Sequence, residues 1–209
     1  MDGTLSFGPG MPASPTTVPV IPASGTLDPG IKLHIGCGTN VLPGWLNIDR
    51  VTRAPGVVTD IDATALPFPD ASVTAILAEH VFEHFTFTEE RAVWREVARV
   101  LRPGGELVLE VPDLEWVCRS FLQAEDVWRR FYIVGHADDY AGCGRALDQR
   151  WGILQTMFFG NQNGPGQFHH SGYTAGKIRA IGHLLGFAAT AIERRFNKGG
   201  QCLRATLTR

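Results

Sequence analysis

The chain has 209 residues, of which 44% are hydrophobic, and this length and apolar content suit one folded domain with a full core. Its formal net charge of −2 provides no broad basic field, and no run of about 18 apolar residues is present, so we predict neither nucleic-acid binding nor a membrane span. The four cysteines form no C-x-x-C pair, which favours reduced thiols in a cytoplasmic protein over a disulfide framework or zinc knuckle.

Residues 1–29 are rich in Pro, Gly, Ser and Thr, with prolines at positions 9, 12, 15, 19, 22 and 29. Proline removes the backbone donor that a helix or an inner strand needs. The composition therefore predicts a disordered or loosely docked arm. We place the folded domain at residues 30–209 and expect residues 114–173 to form a helix and loop excursion on its substrate side.

The first predicted strand, Ile31–Ile35, runs directly into the turn Gly36-Cys37-Gly38. Two glycines separated by one residue after a strand allow a sharp turn and a close approach to a ligand, which is usually a nucleotide. The third glycine of the dinucleotide fingerprint is absent, because Val41 stands at its position. The next predicted strand, Trp45–Asp49, follows so closely that the crossover helix is reduced to about one turn.

Acidic residues close the next two predicted strands. Asp49 ends the second strand, where a carboxylate accepts hydrogen bonds from the hydroxyls of a ribose. The third strand, Gly56–Ile61, precedes Asp62, which can accept a hydrogen bond from an adenine amino group, and Asp60 is a near-equal candidate. Since ligands bind beyond the carboxyl ends of strands in an open α/β sheet, we predict that these acids line one nucleotide site.

The following segment alternates strands and helices. Val73–Leu77 reads as a buried fourth strand, and Thr88 as the N-cap of a helix with apolar residues at the 3.6-residue period. Glu106–Val111 reads as the fifth strand. Later in the chain we predict a helix capped by Thr174, a sixth strand through Ile192 and a last strand over Gln201–Thr208.

Three ordered motifs, Leu33–Gly38 with Asp49, Asp62–Phe68 and Arg99–Gly105, resemble those of class I S-adenosylmethionine-dependent methyltransferases. The resemblance covers residues 31–113 and implies an α/β fold: a Rossmann-like, doubly wound, mostly parallel sheet of about seven strands with an antiparallel last strand. Within the class, the chain resembles a bacterial subgroup of predicted methyltransferases with unsettled substrates, some associated with surface-glycan genes. The segments that carry this second resemblance are His34, Leu42–Trp45, Glu83-His84 and Gly164–His169.

The resemblance implies S-adenosylmethionine as the cofactor, with the glycine turn under its methionine part. Asp49 then binds the ribose, Asp62 and the Ala63 backbone hold the adenine, and Glu79 lies beside the methionine end. His34 stands where most of the class has an acid, so the amino group of the cofactor needs another partner, such as a backbone carbonyl or Glu79. The full set of implied cofactor-binding residues is His34, Gly36, Cys37, Gly38, Asp49, Asp62, Ala63 and Glu79.

The predicted activity is methyl transfer to a small or glycan-type acceptor at oxygen or nitrogen. A hydroxyl acceptor also needs a base for its proton. His80 directly follows the fourth strand and ranks first as the group that contacts substrate or cofactor, and His84 and His169 are the other predicted catalytic histidines. The wider set of residues able to receive a proton is His80, Glu83, His84, Asp113, His169 and His170.

Three other functions fit parts of this pattern. The run His80-x-x-Glu83-His84 matches the zinc motif of inverted metalloproteases, but no later helix offers an obvious acidic third ligand, so we predict no metal. A nicotinamide-dependent enzyme would share the strand, glycine turn and acid, but the missing third glycine and the truncated helix argue against it. A binding module that keeps the S-adenosylmethionine pocket without catalysis remains the main alternative.

Overall fold

One mixed sheet of seven strands organises the fold. The computed structural model describes residues 30–122, 156–162, 164–197 and 200–209. In chain order the strands are β1 Ile31–Ile35, β2 Leu46–Ile48, β3 Val57–Val58, β4 Val73–Glu79, β5 Leu101–Pro112, β6 Ala189–Asn197 and β7 Gly200–Thr208. Their order across the sheet is β3-β2-β1-β4-β5-β7-β6. The first five strands pair in parallel and β7 runs antiparallel to both neighbours, which confirms the predicted fold class.

Helices occupy the connections from β4 to β5 and from β5 to β6. Those with described bounds are α1 Phe87–Val100, α2 Leu114–Leu122 and α3 Ala175–Leu184, together with a 3₁₀ turn at Phe82–His84. None of the helices in the described ranges has the length and apolarity that crossing a membrane requires. The predicted arm at residues 1–29, and most of the predicted excursion, lie outside the described residues.

The connection between β1 and β2 contains only turns, since residues 36–45 are all described and none is helical. This confirms the prediction of a reduced first crossover. The segment is held by the buried side chain of Asn47, whose Nδ2 donates to the carbonyl oxygens of Leu42 and Trp45 at 3.0 and 2.9 Å. A side-chain amide therefore takes over the backbone pairing that a crossover helix would have supplied.

The N-cap of α1 differs from the prediction. The cap is Thr86, not Thr88: Thr86 Oγ1 accepts from the backbone N–H of Glu89, and Glu89 Oε2 accepts from the N–H of Thr86 at 2.9 Å. This reciprocal capping box needs a glutamate or glutamine three residues after the cap. Thr88 was the wrong choice because Arg91 stands three residues after it.

Several strand bounds also differ from the prediction. The third strand has two residues instead of six, and it lies at the edge of the sheet, where it pairs only with β2 among the described strands. The fourth strand extends two residues further than predicted, because Ala78 and Glu79 continue the parallel pairing with Leu109 and Glu110. Glu79 is therefore the last residue of a central strand and lies at the carboxyl edge of the sheet.

An apolar core lies beneath that edge. Inner positions of the central strands, such as Leu33, Ile76 and Leu107, are completely buried. The 3₁₀ turn is fixed to this core by Phe82, whose ring packs edge-on against Trp94 and Tyr173 at centroid distances of 5.1 and 6.5 Å. Aromatic pairs in this geometry hold their orientation well. The acid and histidine that follow Phe82 consequently project from a rigid base.

Candidate active site

A cleft of about 500 Å³ opens at the carboxyl ends of β1, β2 and β4. Every residue that the sequence assigned to cofactor binding lines it, namely His34, Gly36, Cys37, Gly38, Asp49, Asp62, Ala63 and Glu79. His80 and His84 line the same cleft. Asp60 does not, so of the two acids left open for the adenine, Asp62 is the one at the cleft.

The glycine turn supplies a bare backbone surface. Gly36 and Gly38 have φ angles of +65° and +53°, a region that side chains rarely adopt. A Cβ at Gly36 would lie 2.4 Å from Val81 Cγ2, whereas a Cβ at Gly38 would have no atom within 4 Å. Gly36 is therefore required for packing against the next loop, and Gly38 leaves open space at the turn that lines the cleft.

Asp49 ties the glycine turn to the end of β2. Its Oδ2 accepts from the Gly38 N–H at 2.9 Å, and its Oδ1 accepts from the N–H groups of Val51 and Thr52 at 2.9 and 2.7 Å. Partial burial opposes ionisation, but these donors hold the pKa of Asp49 below its ordinary value. Three of about four acceptor positions are thus used, which leaves capacity for one ribose hydroxyl rather than the expected two.

Asp62 is also fixed by local hydrogen bonds. Its Oδ1 accepts from the Thr64 N–H at 2.8 Å and from Thr64 Oγ1 at 2.7 Å. The backbone bond from Thr64, opposed by slight burial, keeps the pKa of Asp62 below its usual range. Ala63 is buried directly beside it. The carboxylate is therefore ionised and held at the same edge of the sheet as Asp49.

His34 has a partner that the sequence analysis missed. Its Nδ1 lies 3.2 Å from Asn47 Oδ1, and both side chains are buried. Because the Asn47 amide nitrogen donates to two backbone carbonyls, its oxygen must be the acceptor, so His34 Nδ1 carries the proton and Nε2 remains an acceptor. A polar Asn47 in an otherwise apolar strand was the available sequence signal.

Glu79 is bound to a cation on a strand two positions away in the sheet. Arg204 on β7 donates from Nη1 to Glu79 Oε1 at 2.6 Å and to Glu110 Oε2 at 3.0 Å. The sequence analysis assigned no role to Arg204, because nothing local indicates that the last strand pairs beside β5. A salt bridge to Arg204 reduces the negative charge that Glu79 presents to the cleft.

His80 lies in an unusual backbone position between two carboxylates. Its φ is +54°, which is uncommon for a residue other than glycine and clusters at functional sites. Nδ1 is 3.3 Å from Glu83 Oε1, and Nε2 is 3.5 Å from Glu110 Oε1. Both ring nitrogens therefore face acidic oxygens, so the ring is oriented by its neighbours.

The structure brings His84 and His169 together, although 85 positions separate them in the chain. Their rings meet edge-on with centroids 4.8 Å apart. His84 Nδ1 donates to the Phe168 carbonyl at 2.8 Å, and His169 Nδ1 donates to the Met157 carbonyl at 3.1 Å. Burial lowers the pKa of His169, which favours its neutral form. In both rings Nε2 is consequently the acceptor atom.

The remaining candidates divide between buried and exposed positions. Asp113 is buried, but its Oδ2 accepts from Arg194 Nε at 3.0 Å and its Oδ1 caps α2, so its role is structural. His170 is exposed.

The Cys37 thiol of the glycine turn is not a nucleophile. Burial and the charge of Asp49 raise its pKa to about 11, so this thiol stays protonated.

Comparison with known proteins agrees with this geometry. Residues 33–109 match a family described as a methyltransferase domain. Residues 33–109 are therefore similar to a methyltransferase domain, and the cofactor that this similarity indicates is S-adenosylmethionine. The cleft fits that group: the open face of Gly38, the ionised Asp49 and the fixed Asp62 lie along one cavity.

Individual relatives are more distant. Over 98 residues, or 44% of this chain, it is 37% identical to the mouse protein called probable tRNA methyltransferase 9B, and the match spans 20% of that protein's length. A SAM-dependent methyltransferase from Archaeoglobus fulgidus is 13% identical with a TM-score of 0.54, and 86% of each chain is covered. The 1,6-didemethyltoxoflavin-N1-methyltransferase of Burkholderia thailandensis is 13% identical with a TM-score of 0.53, covering 86% of this chain and 70% of that one. These similarities show a shared fold.

Proposed function

We propose that the protein transfers a methyl group from S-adenosylmethionine to a small or glycan-type acceptor at oxygen or nitrogen. The observation that carries this proposal is the shared lining of one cleft, in which the glycine turn and Asp49 lie with His80 and His84. A cofactor that follows the glycine turn towards β4 would present its methyl group to these histidines. A pocket that only bound the cofactor would have no need of a strained histidine there.

We assign the acceptor to a second cavity of about 320 Å³ on the other side of the 3₁₀ turn. It is lined by Glu83 and His169 and by apolar side chains such as Leu114, Phe158 and Phe159. Apolar walls with a few convergent polar groups are typical of small-ligand sites. The net charge of −2 makes a polyanionic acceptor, such as the tRNA in the name of the mouse relative, less suitable.

The protein has to orient the acceptor and receive its proton. When bound, S-adenosylmethionine supplies a methyl group on a positively charged sulfur. The acceptor's lone pair forms the bond to the methyl carbon, while the carbon–sulfur electron pair stays on sulfur and the acceptor's proton passes to a base. His80, His84 and His169 are the groups available for that proton, and the cavity walls keep water away from it.

Calorimetric titration of the full chain tests the proposal. In separate titrations, we expect S-adenosylhomocysteine and S-adenosylmethionine each to bind with one-to-one stoichiometry and micromolar affinity. NAD should bind at least a hundredfold more weakly. Equal binding of NAD would contradict the assignment. Transfer of a labelled methyl group to a panel of sugars, phenols and amines then separates an enzyme from a binding module, which would bind the cofactor but label none of them.

A further inference from the structure

We propose that Glu83, His84 and His169 bind one divalent transition-metal ion between the cofactor cleft and the adjoining cavity. One ligand atom from each residue lies within 4.8 Å of the others. Two imidazoles and one carboxylate are a common ligand set that leaves further coordination positions open. His84 lines the cofactor cleft, whereas Glu83 and His169 line the adjoining cavity, so the ion would lie at their junction.

The two histidines are prepared as ligands. A metal-binding histidine almost always donates its other ring N–H to a carbonyl or carboxylate, which fixes the ring and directs the free nitrogen. Here the Nδ1 of each ring donates to a backbone carbonyl, at 2.8 Å for His84 and at 3.1 Å for His169. Both Nε2 lone pairs are thereby available, and neither depends on a partner that metal binding would displace.

The carboxylate of Glu83 independently indicates a missing partner. The side chain is 1% exposed, and neither of its oxygens makes a hydrogen bond with the described part of the chain. His80 Nδ1 is 3.3 Å from Oε1, an ion-pair contact that leaves Oε2 without a donor. A carboxylate buried with so few partners is unfavourable. A divalent ion would satisfy it directly.

The chain around the cluster is fixed rather than loosely placed. The N–H groups of His170 and Ser171 both donate to the Glu83 carbonyl, at 2.8 and 3.1 Å. Ser171 Oγ donates to the Phe82 carbonyl at 3.3 Å. These bonds attach the loop that carries His169 to the 3₁₀ turn, so the backbone that carries the three ligands is held in one place.

This site differs from the helical motif that the sequence suggested, because His80 is not a member. The third ligand is instead His169, which comes from a loop distant in the chain. A second cluster, formed by His80, Glu110 and Cys202, is less suitable. There Glu110 already accepts from Arg204 at 3.0 Å and from Asn197 at 2.6 Å, so its charge is neutralised.

Imidazole and carboxylate ligands favour Zn²⁺, Fe²⁺ or Mn²⁺ over Mg²⁺, which prefers oxygen ligands and retained water. An ion at this junction would accept an acceptor hydroxyl at an open position and make its proton more acidic. This consequence, which rests on the proposed methyl transfer, narrows the acceptor to a compound with a hydroxyl group. With His84 and His169 bound to the ion, His80 is the histidine left to receive the proton. Metal binding itself does not depend on that activity.

Metal titration of the chelator-treated full chain tests the site. We expect one equivalent of Zn²⁺ or Mn²⁺ to bind with micromolar or tighter affinity, and Mg²⁺ to bind at least tenfold more weakly. His169→Gln and Glu83→Gln should each weaken Zn²⁺ binding at least tenfold, while His183→Gln, a change at an exposed histidine of α3, should leave it unchanged.

Cobalt provides the second readout. Co²⁺ in the wild-type site should give visible absorption bands that His169→Gln removes, without the near-ultraviolet band of a cobalt–thiolate bond. A thiolate band, absence of stoichiometric binding, or identical affinity in His169→Gln would overturn the proposal. The affinity for S-adenosylhomocysteine shows whether a protein is folded and binds the cofactor, independently of the metal. It should persist in the metal-free protein and in His169→Gln, so a failure of the metal site is distinguishable from a failure of the proposed function.

Discussion

The two ends of the candidate active site, one at the cofactor cleft and one at the adjoining cavity, differ in how their polar groups are satisfied. At the cofactor end, Asp49 accepts three backbone N–H bonds and Asp62 accepts two bonds from one threonine. At the histidine end, Glu83 is buried with no hydrogen bond from the described residues, and His80 has a positive φ. The first end is built by local turns, and the second by contacts between distant segments.

This difference separates binding from chemistry. A site whose donors and acceptors are already paired holds a ligand without rearrangement, which suits a cofactor common to a whole class of enzymes. Buried carboxylates with few hydrogen bonds and backbone strain persist only where the surrounding core enforces them, and they cluster where reactions occur. The aromatic packing of Phe82 supplies that enforcement here. Each prediction below tests one side of this contrast.

Asp49→Ala should have the largest effect, because it removes the acceptor of three loop N–H groups together with a ribose ligand. We expect the affinity for S-adenosylhomocysteine to fall on the order of 100-fold, or about 2.7 kcal/mol. Calorimetry measures it. Asp60→Ala is the matched control, since Asp60 lies outside the cleft, and it should change the affinity less than about twofold. Similar losses in both variants would refute the role given to Asp49.

The two glycines of the turn should respond differently to alanine. Gly36→Ala places a methyl group 2.4 Å from Val81, and we expect it to lower the free energy of unfolding by about 2–3 kcal/mol. Gly38→Ala meets no protein atom, so its cost is only the backbone strain of about 1 kcal/mol. Denaturant unfolding measures both. The affinity for S-adenosylhomocysteine should nevertheless fall in Gly38→Ala, and unchanged affinity would place the ligand elsewhere.

The strain at His80 can be isolated by comparing two substitutions. His80→Gly and His80→Ala both remove the ring and its contacts with Glu83 and Glu110. Only glycine relaxes the φ of +54°, so His80→Gly should be about 1 kcal/mol more stable than His80→Ala. Equal unfolding free energies for the two variants would show that the backbone at His80 is not strained.

The smallest effect should be a dependence on pH. The depressed pKa of Asp49 means that its stabilising contribution is complete above the ordinary value of about 3.9 and is lost as pH falls through the lower folded value. Asp49→Asn cannot make this contribution. The wild-type Tm should therefore exceed that of Asp49→Asn between about pH 5 and 7, and the difference should shrink below about pH 4. A constant difference across this range would contradict the ionised, hydrogen-bonded carboxylate.

The sequence predicted the cofactor end well because its signals are local. A strand that ends in Gly36-x-Gly38, and acids that close the following strands, must meet at one edge of a parallel sheet. The mostly parallel sheet of seven strands with an antiparallel last strand is confirmed, and the predicted residues line one cleft. Thr88 was mistaken for the helix cap because a threonine followed directly by acids matches the pattern that a cap requires, and only the glutamate spacing favours Thr86.

The histidine end was only partly predictable because it depends on pairing between distant segments. His80 and His84 were identified from their position after a central strand, but nothing in the local pattern indicates that His169 meets His84. Arg204 was missed for the same reason, since its contact with Glu79 follows from the position of β7 beside β5. Such contacts are set by tertiary packing, to which periodicity and turn patterns are insensitive.

A crystal structure of the complex with S-adenosylhomocysteine tests the central claim most directly. The account predicts a ribose hydroxyl about 3 Å from Asp49 Oδ2, adenine beside Asp62 and Ala63, and the sulfur pointing towards His80. An adenosyl group bound away from the Gly36–Gly38 turn, or a sulfur pointing away from the histidine cluster, would contradict it.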